Sequence, residues 1–257
     1  MVHLSLGNAK AGIEAGELIS YQISGFEYIH QKGSPGWRNS DTEMFPVIGP
    51  TAEAGFRVHV PRGNAIQDQH GLLRELEYSL LSSTENTAQY IKSYKAGTVI
   101  KNSKFPDKST ARLLIWPFSF EFFKSFVLSE NGLEINFRIS GEKDMPFMLG
   151  YHPAFKLYTN SPEVIAGNHS ITLETIMEAG SRALEVADCQ RVILKDQKEL
   201  CIKTEGFRHF MLWTEVPNMI CIEPITFYPY SVDQMQLHEG FDYLTDEDRN
   251  FKVTLIP

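Results

Sequence analysis

Paired cysteines are the first thing this 257-residue chain lacks. Its three, Cys189, Cys201 and Cys221, are odd in number and widely spaced, with no C-x-x-C among them. That pattern excludes a disulfide framework and a thiolate zinc site, and it fits reduced thiols in a cytoplasm. Positive charge is short as well: 24 Lys and Arg against 32 Asp and Glu give a formal net charge of −8. Phosphate-rich partners would be repelled, so neither nucleic acid nor an anionic membrane surface is expected. No run approaches the roughly 18 apolar residues of a membrane span. The stretch MVHLSLGNAKAGIEAGELIS has no basic segment followed by an apolar one, so no secretory leader is expected. Without secretion, the glycosylation match Asn168-His169-Ser170 has no use. Also missing are a G-x-S-x-G elbow, an H-E-x-x-H pair and an Asp-rich metal loop. The expected chemistry is therefore proton transfer, with no cofactor and no metal. No repeat, low-complexity run or Pro/Ser-rich linker divides the chain, so one domain over residues 1–257 is expected.

What is present is strand signal. FVLSENGLEINFRIS offers Asn131-Gly132 as the φ > 0 pair of a two-residue hairpin turn. After it Leu133, Ile135, Phe137 and Ile139 alternate with polar residues, turning one face to a core. Aromatic-rich ARLLIWPFSFEFFKSF precedes it, and RVILKD, ELCIKTE, HFMLWTEV, MICIEP and FKVTLIP follow, each short and bounded by polar or turn residues. Many short strands point to a β-sandwich or barrel. One segment reads otherwise. LLRELEYSLLSS places Leu72, Leu73, Leu76 and Leu80 near helical spacing, and pattern alone predicts a helix over residues 72–81.

Three polar residues stand in apolar company. His152 lies within MLGYHPAFKL, and Glu223 ends the apolar run Met219–Ile222 in NMICIEPITF. An ionised carboxylate left unpaired there costs several kcal/mol, so Glu223 is either paired or set at the mouth of a pocket. His152 and Glu223 each precede a proline, Pro153 and Pro224, which holds the preceding backbone extended. Groups that move protons need such fixed positions. His70, in IQDQHGLLREL, is followed by Gly71, which permits a close backbone approach, and Arg74 comes four residues on. A core histidine and a surface-loop histidine are the plainer readings of His152 and His70. Together, two imidazoles and a carboxylate can perform acid–base chemistry, each positioned transfer contributing roughly 10²–10⁴-fold.

In this light the chain resembles the aldose 1-epimerase (galactose mutarotase-like) family. PGWRNSDTEMFPVIGP is similar to the family's W-x-R and LFP-x-x-G stretch, QHGLLREL to H-G-F-A-R, and WPFSFEF to Y-P-F-x-F-E-L. MLGYHPAF is similar to S-I-G-x-H-P-A-F, and LWTEVPNMICIEP to the strand ending C-I-E-P. The resemblance implies an all-β fold, a large antiparallel β-supersandwich with a sugar site in its concave face. It implies a loop entering a strand at residues 72–81 rather than a helix. It implies Glu223 as the base for the anomeric hydroxyl, His152 as the acid for the ring oxygen, and His70 holding the sugar. Arg74 is implied to bind substrate, and Arg38 would join it if the sugar were a phosphate ester. Near their ordinary pKa values of about 4.3 and 6.5, an ionised glutamate and a histidine suit neutral pH. The implied activity exchanges the α and β anomers of an aldohexose, a small-molecule partner. Alternatives are a non-catalytic sugar binder, a hexose 6-phosphate epimerase, or a hydrolase using a second carboxylate such as Glu215 or Asp233. Pro50 stands where the family's F-P-x-x-G-R has arginine, Ile225 where an aromatic commonly follows C-I-E-P, and LLREL where F-A-R is usual. Trp37, Trp116 and Trp213 could each stack on a sugar, though core packing is the expected use of at least two.

Overall fold

The computed structural model describes residues 1–257, and its strands run antiparallel in two principal sheets. The larger has nine strands, ordered His169–Thr172, Glu163–Ala166, Arg191–Lys195, Glu199–Glu205, Arg249–Ile256, Gly132–Gly141, Phe120–Ser129, Thr87–Tyr94 and Ser79–Ser83. The second runs Leu184–Val186, His209–Trp213, Met219–Ile225, Gly150–Tyr151 and Glu43–Met44, with Ala154–Lys156 also paired to Met219–Ile225. A four-stranded meander, Val2–Leu6 to Phe26–Glu27, stands beside them.

Period-2 alternation builds the sandwich. Leu133, Ile135, Phe137 and Ile139 are buried, as expected, and face the second sheet. Burying such side chains stabilises by roughly 1.5–3 kcal/mol each. Phe137 meets Tyr151 with ring centroids 5.1 Å apart, and Phe122 meets Phe45 at 5.3 Å, so the two sheets share one aromatic core. Trp116 is fully buried in it.

Two local expectations change. The hairpin lies where the sequence placed it, but Ser129 pairs with Gly132, so Glu130 and Asn131 are the turn. Only Gly132 takes a positive φ, +124°, and a Cβ there would come within 2.2 Å of the Leu255 carbonyl oxygen. Neighbouring-strand approach, not the turn, demands the glycine. Residues 72–81 form a single 3₁₀ turn, Leu73–Glu75, then the edge strand Ser79–Ser83, in line with the resemblance and against the helical pattern. Leu72 and Leu73 are buried, but Leu80 is half exposed, so the four leucines never share a face. The Leu73 amide donates to the Phe45 carbonyl and its own carbonyl accepts from Lys92 Nζ, tertiary bonds a helix would forgo.

Candidate active site

Strand register brings the two proline-preceded residues together. Ala154 pairs with Cys221 and Gly150 with Ile225, which puts His152 opposite Glu223 on adjacent strands. The ladder on that side breaks between these pairs, so neither Pro153 nor Pro224 has to donate within it. The other edge of the His152 segment is secured: its amide donates to the Thr42 carbonyl, and the Thr42 amide returns a bond to His152. The result is His152 Nε2 at 3.4 Å from Glu223 Oε1, both on the face that also carries Cys221, Met211 and Trp213. Trp37 stacks on the His152 ring at 4.2 Å and 26°.

His70 arrives from a different segment. Its backbone holds φ = +74°, unusual for a side chain with a Cβ, and strain of this kind marks positions that the surroundings over-determine. Its amide donates to the Ile48 carbonyl at 2.7 Å and its carbonyl accepts from the Phe45 amide. Gly71 is required next, since a Cβ would sit 2.2 Å from the Phe45 carbonyl oxygen. The turn is held behind by Asp68, which accepts from Asn102 Nδ2 at 2.7 Å, and by Gln67 Oε1, which accepts the Leu72 amide. The ring lies edge-on to His152, centroids 5.4 Å apart. His70, His152 and Glu223 line one hollow of about 240 Å³ together with Trp37, Met211 and Trp213. Two tryptophans therefore face the hollow and one packs in the core, the reverse of the expected division.

Burial decides the protonation. Glu223 is 2% exposed and accepts no hydrogen bond from an arginine or a backbone amide. Burial pushes its carboxyl well above the usual range, and the Arg74 charge offsets only part of this. His152 is driven the other way, to about 3, by burial first and the Arg74 charge second. His70 is likewise held well below 6.5, by burial and then by the Arg74, His152 and Lys104 charges. The ordinary pKa values taken from the sequence do not survive this environment: burial favours the uncharged form of each, a carboxylic acid beside a neutral imidazole. Nδ1 of both histidines is buried without a hydrogen-bond partner. Atoms of His152, Cys221 and Glu223 also lie within 4.8 Å of one another, close enough for a divalent ion.

A sequence model for aldose 1-epimerase matches residues 16–226. The chain belongs to the aldose 1-epimerase family. Among solved structures it is similar to a galactose mutarotase-like protein from Lactobacillus casei, with a TM-score of 0.80 and 16% identity over 100% of this chain and 99% of that one. A galactose mutarotase related enzyme from Lactobacillus acidophilus gives 0.74 at 18% identity, covering 100% and 97%. A galactose mutarotase-like protein from Clostridium acetobutylicum gives 0.70 at 12%, covering 98% and 93%. At these identities the likeness is one of fold. No curated protein matches the chain.

Two of the positions where the chain departs from the family pattern lie next to the hollow, and the LLREL segment borders a neighbouring cleft. Ile225 is buried and pairs with Gly150 beneath it. Pro50 lies on the wall of an adjoining trough. Arg38 and Arg74 do not line the hollow. Both open onto a neighbouring cleft that holds Lys92, Lys104 and five acidic residues, Glu17, Asp41, Glu43, Glu75 and Glu77. Arg74 makes no ion pair, and its charge reaches all three site residues. Glu215 is an exposed member of the hollow's rim, and Asp233 stands in the trough. Sequence reasoning missed Arg182 and Tyr230, which line the hollow from two 3₁₀ turns, Gly180–Arg182 and Pro229–Ser231. Neither sits in a pattern that could have revealed it.

Proposed function

We propose that the chain is an aldose 1-epimerase acting on an aldohexose, exchanging its anomers through one proton shared by Glu223 and His152. The single observation that carries this reading is the cross-strand pair at 3.4 Å lining a hollow of about 240 Å³. Ring opening needs a base to take the anomeric hydroxyl proton while an acid gives one to the ring oxygen. The C1–O5 bond then breaks to leave the aldehyde. Rotation about C1–C2 presents the other carbonyl face, and the reverse transfers close the ring as the opposite anomer.

The pair can begin from either tautomer. With the proton on Glu223, His152 is the base and the carboxyl is the acid. With the proton moved to His152, Glu223 is the base and the imidazolium is the acid, the roles implied by the family resemblance. Opening converts one tautomer into the other, and closure restores it. The pair stays neutral overall, which suits a buried site where a separated charge would be expensive. His70, edge-on to His152, holds the sugar and steadies the charge that develops. Trp37 and Trp213 offer apolar faces to its C–H groups. Arg74, outside the hollow, biases the pair electrostatically.

Neutral hexose is favoured over hexose 6-phosphate because Arg38 and Arg74 face a cleft where four cations meet five carboxylates, and Arg182, the one Lys or Arg lining the hollow, stands there with Glu215. A pure binder is disfavoured too: a buried carboxyl without a donor stabilises nothing. Polarimetry of freshly dissolved α-glucose and α-galactose, with their 6-phosphates alongside, tests the proposal. Acceleration of a neutral sugar is expected. Rates equal to buffer for every sugar would end the case for an epimerase.

A further inference from the structure

The hollow does not end at the rim. Gln69, Ser181, Arg182 and Tyr230 form one of its walls and also line a trough of about 910 Å³ that continues outward. We propose that this trough binds a second, neutral sugar unit, so that the preferred substrate is the reducing-end residue of a disaccharide or longer saccharide. The inference rests on the epimerase reading above and narrows its substrate class.

The trough is preformed. The Glu53 amide donates to Gln234 Oε1 at 2.8 Å, tying the turn Ala52–Ala54 to the turn Gln234–Gly240. Tyr230 is held in place by a bond from its hydroxyl to the Ser181 carbonyl at 3.2 Å and by Tyr228, 5.6 Å away between centroids. The Arg182 guanidinium lies over this ring, 5.2 Å from its centroid, so the two together form a fixed edge at the junction that needs no ordering on binding. The polar side chains around it are free to receive hydroxyls. Gln69, Asp233, Gln236 and Glu239 line the trough, and their side chains make no bond within the protein. Sugar hydroxyls both donate and accept, so amides and carboxylates serve them equally.

Charge selects the class. Glu53, Asp233 and Glu239 stand against the single cation Arg182, an acidic excess of two that disfavours a phosphate or uronate extension. Chemistry sets the direction. Mutarotation requires a free anomeric hydroxyl at His152 and Glu223, so a second unit has to be attached elsewhere on the ring and leave by the shared wall. Pro50, where the family motif carries arginine, presents a short side chain to this trough.

Freshly dissolved α-lactose, β-maltose and β-cellobiose, followed by polarimetry beside glucose and galactose, test the inference. At least one disaccharide is expected to show kcat/KM tenfold or more above its reducing-end monosaccharide, carried by KM. Replacing three exposed trough side chains together, Asp233→Ala, Gln236→Ala and Glu239→Ala, should collapse that ratio toward one. Disaccharides that are no better than monosaccharides overturn the inference, and so does a ratio the triple variant leaves intact. Tryptophan fluorescence titration of Glu223→Gln separates this from the epimerase reading. Tighter disaccharide binding by the variant, alongside a parent protein that turns over no sugar, would uphold the trough and remove the epimerase, whereas equal binding of disaccharide and monosaccharide would remove the trough.

Discussion

Two of the clusters of titratable side chains buried in this molecule are built on opposite plans. Around Lys124 every charge has a neighbour of opposite sign. Its Nζ lies 2.8 Å from Asp41 and 2.7 Å from Glu43, and the Tyr151 hydroxyl donates to Asp41 at 2.7 Å. Burial would raise Glu43, but the Lys124 and Lys92 charges outweigh it and leave the carboxyl below its usual value. The same acids hold Lys124 above its usual range despite burial. Of the two carboxyls only Asp41 rises, to about 6, because burial outweighs Lys124 there. Around Glu223 no cation is in contact, and burial prevails, favouring the uncharged form of acid and imidazole alike. Paired charges fix a fold; unpaired neutral groups remain available to exchange protons with a ligand. Tyr151 and His152 are adjacent in the chain, so the first group anchors the segment that carries the second.

Removing the proton carrier should have the largest effect. Glu223→Gln is expected to lower turnover by at least about 10² while the protein stays folded, since positioned proton transfer contributes roughly 10²–10⁴-fold. Retained activity would erase the distinction between the two groups. Lys124→Met attacks the other side, stranding two buried carboxylates. Urea unfolding should show a loss of about 3–5 kcal/mol, the cost of breaking a buried pair from one end. Adding Asp41→Asn and Glu43→Gln should recover most of it; if it does not, the pairing is not what the cluster contributes.

Stability against pH sharpens the contrast. A carboxyl raised on folding binds its proton more tightly in the native state, so its contribution is present below its unfolded pKa of about 4.5 and lost as pH rises through the folded value. Glu223→Gln removes that loss. Its melting temperature relative to the parent should therefore climb from pH 5 to pH 8, and a flat difference would mean that Glu223 is ionised in the fold. The smallest effect is electrostatic. With its pKa held near 3, His152 should give neutral imidazole NMR shifts at pH 5. Arg74→Met, by removing the second cause of that depression, should move its titration upward.

Much of the fold was legible because it rests on local rules. The alternation of Leu133 to Ile139, the segments Arg191–Lys195 and Glu199–Glu205, and the apolar run into Glu223 all became strands where the pattern placed them. Residues 72–81 misled because four leucines near helical spacing say nothing about the Phe45 and Lys92 groups that claim that backbone. At the site, local sequence singled out His152, Glu223 and His70 as odd polar residues in apolar surroundings. It could not show that two of them stand opposite each other, because register between residues 71 positions apart is a property of the sheet. Nor could it give their protonation, since ordinary pKa values assume full hydration and both groups are largely buried. Arg182 and Tyr230 were invisible for a simpler reason: turn residues on a rim follow no period.

The most direct measurement is saturation transfer between the α and β anomeric protons of equilibrated glucose or galactose at pH 7, with parent protein, Glu223→Gln and His152→Asn. The account predicts exchange well above buffer for the parent and near-buffer exchange for both variants, each still folded. Exchange that persists when either partner of the pair is gone would contradict it.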